Sequence, residues 1–356
     1  MPRVRIPKRW EDVTPEWMTA VLARRHPDAR VKSVELITRD DGTNRRARFG
    51  VTYASGSGPA RVFLKAHAPR HRWVHFRNGN LFNEARLFAS DAVLPLDHPL
   101  VYCSVTELWN LDFLLVMEDI IERGADPRDA TRPLTVEQVA NGLRSLARLH
   151  SHHWNLSRAS HPNLAWLKTW APTKGWQIGL RRRVPIGIAR TGGKLPDEVA
   201  RFDGSQVVDL WARYVEMLGE GPMTLLHADA HIGNTFVLPN NEVGFLDWQV
   251  VRRGAWHQDA GYFLVGSLTE ADRRASEREL MEIYAHALEL PADARPSPEE
   301  VWLWYRTTPA YGLAIWLSTL GTEGYQRPEV SMALVQRYAS AFAELETIRA
   351  LERVGA

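Results

Sequence analysis

The hydrophobic pattern of this chain shifts near residues 118–133 from mainly strand-like to mainly helical, and that shift limits the fold to a sheet-bearing first part and a mostly helical second part. Upstream, residues 31–39 alternate as VKSVELITR, Asp40-Asp41-Gly42-Thr43-Asn44 marks a turn, and 47–54 and 60–66 are two further β-rich runs. These three predict an antiparallel meander. Residues 80–92 place Leu81, Glu84, Ala85, Leu87 and Phe88 at helical spacing, and 101–106 and 113–117 read as two more strands. The first third is therefore predicted as five strands and one helix.

Downstream, Pro133, Thr135 and Gln138 form a helix-start signature ahead of Val136, Val139, Leu143, Leu146 and Leu149, which recur in steps of three and four. The same spacing continues over 205–218, Ser297-Pro298-Glu299-Glu300 is another helix start, and a last helix is expected over 331–351. Within this helical part, 224–247 holds short apolar runs between polar loops and predicts a small hairpin. Residues 156–200 are less regular and carry eight basic against two acidic side chains. The reading is an α+β chain with lobes at 1–117 and 134–356, a hinge over 118–133, a candidate catalytic loop at 226–249 and an insertion at 156–200.

Composition narrows the function. With 44 Lys and Arg against 42 Asp and Glu, the chain has no field that would draw nucleic acid or a membrane surface. Cys103 is the single cysteine, so an intrachain disulfide or a cysteine-built zinc or iron–sulfur site is ruled out. No stretch of 18 apolar residues occurs and the basic start lacks an apolar leader core, which together predict a cytoplasmic protein.

The chemistry concentrates in His227-Ala228-Asp229-Ala230-His231-Ile232-Gly233-Asn234, followed thirteen residues later by Asp247. Phosphoryl transfer needs a carboxylate at the acceptor hydroxyl and hard oxygen ligands for Mg²⁺, because Mg²⁺ takes octahedral oxygen coordination and bridges nucleotide phosphates. Asp229 suits the first role, and Asn234 with Asp247 the second. The order His-x-Asp-x-x-x-x-Asn and then Asp is that of a kinase catalytic loop and metal motif. Lys65, in the otherwise apolar run Val62-Phe63-Leu64-Lys65-Ala66, calls for an opposite charge, and Glu84 on the following helix is the candidate partner.

On these residues the chain resembles the aminoglycoside phosphotransferase and choline kinase branch of the protein-kinase-like superfamily, over about residues 31–345. Its motif there, His-Gly-Asp-x-His-x-x-Asn, is matched by His227, Asp229, His231 and Asn234, with Ala228 in place of the glycine, a mild departure as far as side-chain size goes. The phrases LVMED and LDWQ resemble the ecdysteroid-kinase-like members. The resemblance implies a bilobal fold with ATP and Mg²⁺ as cofactors, bound between the lobes, and a small-molecule hydroxyl as acceptor, bound by the insertion 156–200 and by residues 298–321. It implies Asp229, Lys65 and Glu84 as catalytic residues and Asn234 and Asp247 as metal ligands. Gly42, Thr43 and Asn44 become a phosphate-covering loop with Lys65 on the phosphates, and Met117, Glu118 and Asp119 offer backbone groups to adenine. His227, His231 and Asp259 become structural support for the loop.

The acceptor is open to two readings. Nine Asp and Glu against four Arg in 270–300 permit a site for a cationic antibiotic, whereas Trp302, Trp304, Tyr305, Tyr311 and Trp316 favour a hydroxylated apolar metabolite. Two other classes stay open: a nucleotide-binding regulatory pseudokinase, and a hydrolase holding a transition metal on His227, Asp229 and His231.

Overall fold

The computed structural model describes residues 4–41, 44–68 and 79–355. They divide into two units, Met1–Val93 with His98–Ala125 and Asp247–Val250, and Leu94–Asp97 with Asp126–Leu246 and Val251–Ala356.

The first unit is built on a five-stranded sheet of β1 (Arg30–Asp41), β2 (Asn44–Ser55), β3 (Arg61–His67), β4 (Val101–Glu107) and β5 (Asp112–Glu118). All pairings are antiparallel, in the order β1-β2-β3-β5-β4. Alternation along the strands gives the sheet two apolar faces. Val62, Leu64, Leu114 and Val116 pack with Trp10, Met18, Leu22 and Phe49, while Phe113, Leu115 and Met117 pack with Leu81, Phe82 and Ala85. Each such buried side chain contributes roughly 1.5–3 kcal/mol. Met18 and Leu22 lie on α1 (Pro15–Leu22), a helix the sequence reading did not anticipate, which starts where Thr14 Oγ1 accepts the Trp17 N–H at 3.2 Å. Ala85 lies on α2 (Asn83–Ala89), shorter than the expected 80–92.

The second unit is mainly helical. α3 (Val136–His152) begins with the Thr135–Gln138 capping box and α4 (Lys174–Arg190) is capped by Thr173. Beyond them come α5 (Gly204–Met217), α6 (His257–Ser267), α7 (Glu270–Ala287), α8 (Pro298–Tyr305) and α9 (Pro309–Leu320). The basic segment 156–200 thus contains a long helix, and it crosses α9 at two glycines. A Cβ on Gly187 would lie 1.9 Å from Leu317 O, and one on Gly321 2.1 Å from Arg183 O, so the backbones touch because neither residue has a side chain.

Two expectations need correcting. The helix foreseen over 331–351 is two, α10 (Pro328–Glu344) and α11 (Thr347–Val354). Glu346 between them has φ 49°, and Arg306 holds the break through Leu345 O at 2.8 Å and Glu346 Oε2 at 3.2 Å. The hairpin is β8 (Thr235–Val237) with β9 (Val243–Phe245), joined by β6 (Asp126–Pro127), whereas β7 (Thr224–Leu226) pairs instead with β10 (Arg252–Gly254).

Candidate active site

Strand alternation puts Lys65 on the sheet face that carries Phe63, the face covered by α2. Its Nζ lies 2.5 Å from Glu84 Oε2 and 2.8 Å from Asp247 Oδ1. Lys65 is 3% and Glu84 4% exposed, so the ammonium has left water and needs both carboxylates. Burial works against the charged ammonium, yet Asp247 and Glu84 outweigh it and hold the Lys65 pKa above its usual value. Burial pushes the Glu84 carboxyl up, against the pull of Lys65. The second Glu84 oxygen accepts the Trp248 N–H at 3.1 Å, which ties α2 to the segment bearing Asp247. Asp247 has φ 59°, left-handed backbone that a non-glycine residue adopts at a cost.

The phosphate-loop expectation falls partly outside the described residues, since Gly42 and Thr43 lie there. Asn44 is 2% exposed, and its Nδ2 donates to Gln249 Oε1 at 2.7 Å. Of the groups expected to meet adenine, the Glu118 N–H donates to Leu100 O at 2.8 Å, while Met117 sits in the β3–β5 ladder opposite Phe63. Asp119 is buried, pairs with Arg48 at 3.3 Å and accepts the Ile121 N–H at 3.4 Å.

In the second unit, the loop after β7 is held from beneath by α6. The Asp259 carboxylate is fully buried and accepts the N–H of His227 at 2.6 Å and of Ala228 at 2.8 Å. His150, also fully buried, approaches the same carboxylate at 3.4 Å through Nε2 and meets Tyr284 OH at 2.7 Å through Nδ1. His227 uses both ring nitrogens locally. Nε2 lies 2.7 Å from Leu246 O and must be the N–H donor, which leaves Nδ1 to accept the Asp229 N–H at 3.3 Å. Ala228 takes φ 66°, so the substitution of glycine here matters through the backbone and not through side-chain volume.

These supports present Asp229 and Asn234. Asn234 Nδ2 donates to Asp229 O at 2.9 Å and to Asp229 Oδ2 at 3.2 Å, an arrangement that turns the amide oxygen away from the carboxylate. His231 Nδ1 accepts the Gly233 N–H at 3.0 Å, so Nε2 carries the proton, 3.9 Å from Asp229 Oδ2. Its ring stands edge-on to Trp316, centroids 5.0 Å apart, and to Tyr262 at 6.1 Å. Burial raises the Tyr262 and Tyr311 hydroxyl pKa values, and the Asp229 charge raises them further.

The five aromatics foreseen as one acceptor face separate into two groups. Tyr311 and Trp316, on α9, are the ones that belong with the Asp229 loop. Tyr305 is buried and donates to Glu277 Oε2 at 2.6 Å, Trp302 lies under Arg278, and Trp304 stacks on His257 at 4.4 Å. One helix ends at Tyr305 and the next begins at Pro309, so the two sets lie on different helices, α8 and α9. The sequence reading missed Arg46, Gln249, His150 and Tyr262. Of these only Arg46, a cation two residues beyond the turn, carried any sequence signal. Among the described residues no cluster of three or more His, Cys, Asp or Glu is arranged to hold a metal ion, and no helix is long and apolar enough to cross a membrane.

The fold is the protein-kinase-like one. A spectinomycin phosphotransferase, solved with ADP and spectinomycin, matches with a TM-score of 0.55 at 14% identity, over 94% of this chain and 99% of that one. An ethanolamine kinase from Plasmodium vivax matches with a TM-score of 0.50 at 10% identity, over 88% of this chain and 83% of that one. No curated protein matches the chain by sequence. The model of the phosphotransferase enzyme family (APH) matches residues 39–300, well over half of the chain, and the chain belongs to that family.

Proposed function

We propose that this phosphotransferase moves the γ-phosphoryl group of ATP to a hydroxyl of a small, largely apolar molecule, with Mg²⁺. The observation that carries the reading is the buried Lys65–Glu84 pair that also binds Asp247, because an ammonium shared by two carboxylates in an apolar strand is costly as mere structure. Lys65 holds the α- and β-phosphates and Glu84 orients it. Asp247 and Asn234 offer the hard oxygen donors that suit Mg²⁺, which commonly takes one or two protein ligands and completes its shell with phosphate and water. Bound Mg²⁺ would neutralise charge developing on the transferred group. Asp229 accepts the acceptor's hydroxyl proton as that oxygen bonds to the γ-phosphorus and the bond from phosphorus to the β–γ bridging oxygen breaks, releasing ADP. The spectinomycin phosphotransferase that shares the fold holds ADP in its structure, in keeping with a nucleotide here.

The apolar acceptor is favoured by the aromatic set of Trp316, Tyr311 and Tyr262 beside the Asp229 loop. Four of the nine carboxylates of 270–300 are already used within the chain, Glu270 with Arg274, Glu277 with Arg273, and Glu282 and Glu299 with Arg278, which weakens the case for a cationic acceptor there. A transition-metal hydrolase is disfavoured because His227 commits both ring nitrogens to its own backbone surroundings and His231 commits Nδ1. We assign the protein to the cytoplasm on the strength of its single, unpaired cysteine. The test is Mg²⁺-dependent ADP release across aminoglycosides, macrolides, choline, ethanolamine and hydroxylated steroids or terpenoids. Stimulation by hydroxylated apolar compounds is expected; stimulation confined to aminoglycosides would overturn the acceptor assignment.

A further inference from the structure

β2 places three arginines on its length, and the structure gives them different work. Arg45 donates from Nε to His67 O at 3.0 Å, from Nη1 to Lys8 O at 2.8 Å and from Nη2 to Pro7 O at 3.2 Å, over the Trp10 ring. Arg48 pairs with the buried Asp119. Arg46 makes only two looser ion pairs. Its guanidinium lies 3.6 Å from Asp247 Oδ2 and 3.7 Å from Asp40 Oδ2, both beyond hydrogen-bond length, and its side chain is 36% exposed.

Arg46 is also the direct cross-strand partner of Lys65, so the two side chains share a face. Like charges in that position repel, and the Arg46 charge works against the protonated form of Lys65. The local ledger holds two cations, Lys65 and Arg46, against the two inner carboxylates, Glu84 and Asp247, with Asp40 exposed outside them. Neither Asp247 nor Asp40 reaches Arg46 at hydrogen-bond length, so both ion pairs leave the guanidinium N–H donors open to a ligand. A planar guanidinium with several donors, set beside the Lys65 ammonium, then fits the oxygens of a polyphosphate, which it can take two at a time.

We propose that Arg46 is a second phosphate-binding cation, acting beside Lys65 on the β-phosphate of the nucleotide. This rests on the kinase reading above. The Lys65 ammonium is buried and fixed, a point charge, whereas Arg46 is half-exposed and loosely held, able to follow the phosphates. A merely structural Arg46 would act through Asp247, and its loss would show only when Mg²⁺ is present.

The test measures equilibrium binding of ADP and of adenosine to the native protein, Arg46→Gln and Arg46→Lys, each with Mg²⁺ and in EDTA. Arg46→Gln is expected to weaken ADP binding about tenfold or more in both conditions, the scale of a lost charge-assisted hydrogen bond, and to leave adenosine binding unchanged. Arg46→Lys should recover part of the loss. Native-like ADP affinity in Arg46→Gln, a loss seen only with Mg²⁺, or equal weakening of ADP and adenosine would each overturn the assignment while leaving the kinase reading intact. A native protein that binds no ADP would overturn both.

Discussion

The Asp259 carboxylate spans two consecutive backbone amides, one oxygen on His227 N at 2.6 Å and the other on Ala228 N at 2.8 Å, with no part of it exposed. This fixes the path of the chain into Asp229. Asp259→Asn keeps the volume but aims an amide N–H₂ at one of two N–H donors, leaving a buried donor unsatisfied and His150 without its carboxylate. The variant should lose roughly 1–3 kcal/mol of stability or more by denaturant unfolding. A midpoint equal to the native one would show that the loop does not depend on this bridge.

Ala228 tests the backbone on the same loop. At φ 66° an alanine is strained by about 1–2 kcal/mol. Glycine removes the strain but carries about 0.5–1 kcal/mol more unfolded-state entropy. Glycine also gives up a fully buried methyl, about 0.8 kcal/mol, so the terms nearly cancel and Ala228→Gly should shift stability by less than about 1 kcal/mol, while Ala228→Val should lower it. Thermal melts of the three proteins read both shifts; a glycine variant well outside that range, or a valine variant as stable as native, would contradict this.

How far the sequence carried is seen at these same positions. The five strands, the Thr135–Gln138 cap and the Lys65–Glu84 pair could be read because each follows from local period or from the cost of a lone buried charge. The split of the C-terminal helix could not, since Glu346 shows no glycine or proline and the break depends on Arg306, 40 residues away in the chain. Nor could the pairing of β7 with β10, because three-residue strands are too short to show a period. Arg46 was visible as a cation near a turn, but only the β2–β3 register places it opposite Lys65. The two groups of α8 and α9 aromatics are likewise indistinguishable in sequence, where residues 302–316 form one dense aromatic stretch.

Acid should destabilise the protein through His257. Burial, with His150 nearby, pushes its pKa down from 6.5 to about 3, and Tyr214 OH meets its Nδ1 at 3.1 Å. The folded state therefore keeps His257 neutral while the unfolded state takes up a proton below pH 6.5. Its contribution is intact above pH 6.5 and lost progressively between 6.5 and about 3. One such proton gives a slope near 1.4 kcal/mol per pH unit. Replacing His257 by Phe should flatten the stability profile by about that slope between pH 4.5 and 6, whatever its effect at neutral pH. Parallel profiles for the two proteins would contradict this.

The crossing of α4 and α9 sets a steric prediction. Alanine is about 1 kcal/mol better than glycine inside a helix, so an uncrowded Gly187→Ala would stabilise α4. A Cβ only 1.9 Å from Leu317 O reverses the sign, because the helices must separate. A net loss of about 1–3 kcal/mol is expected. A gain in melting temperature would mean that α4 does not pack on α9 at this point.

Transfer of the acceptor's proton to Asp229 is measured most directly by single-turnover phosphorylation with native protein and Asp229→Asn, ATP binding being followed in parallel. Asn234 still has the Asp229 carbonyl as a hydrogen-bond partner in the variant, so the loop is expected to hold. The variant's rate is expected to be lower by about 10²–10⁴-fold with ATP affinity little changed. An Asp229→Asn protein that phosphorylates the acceptor at the native rate would contradict this role for Asp229.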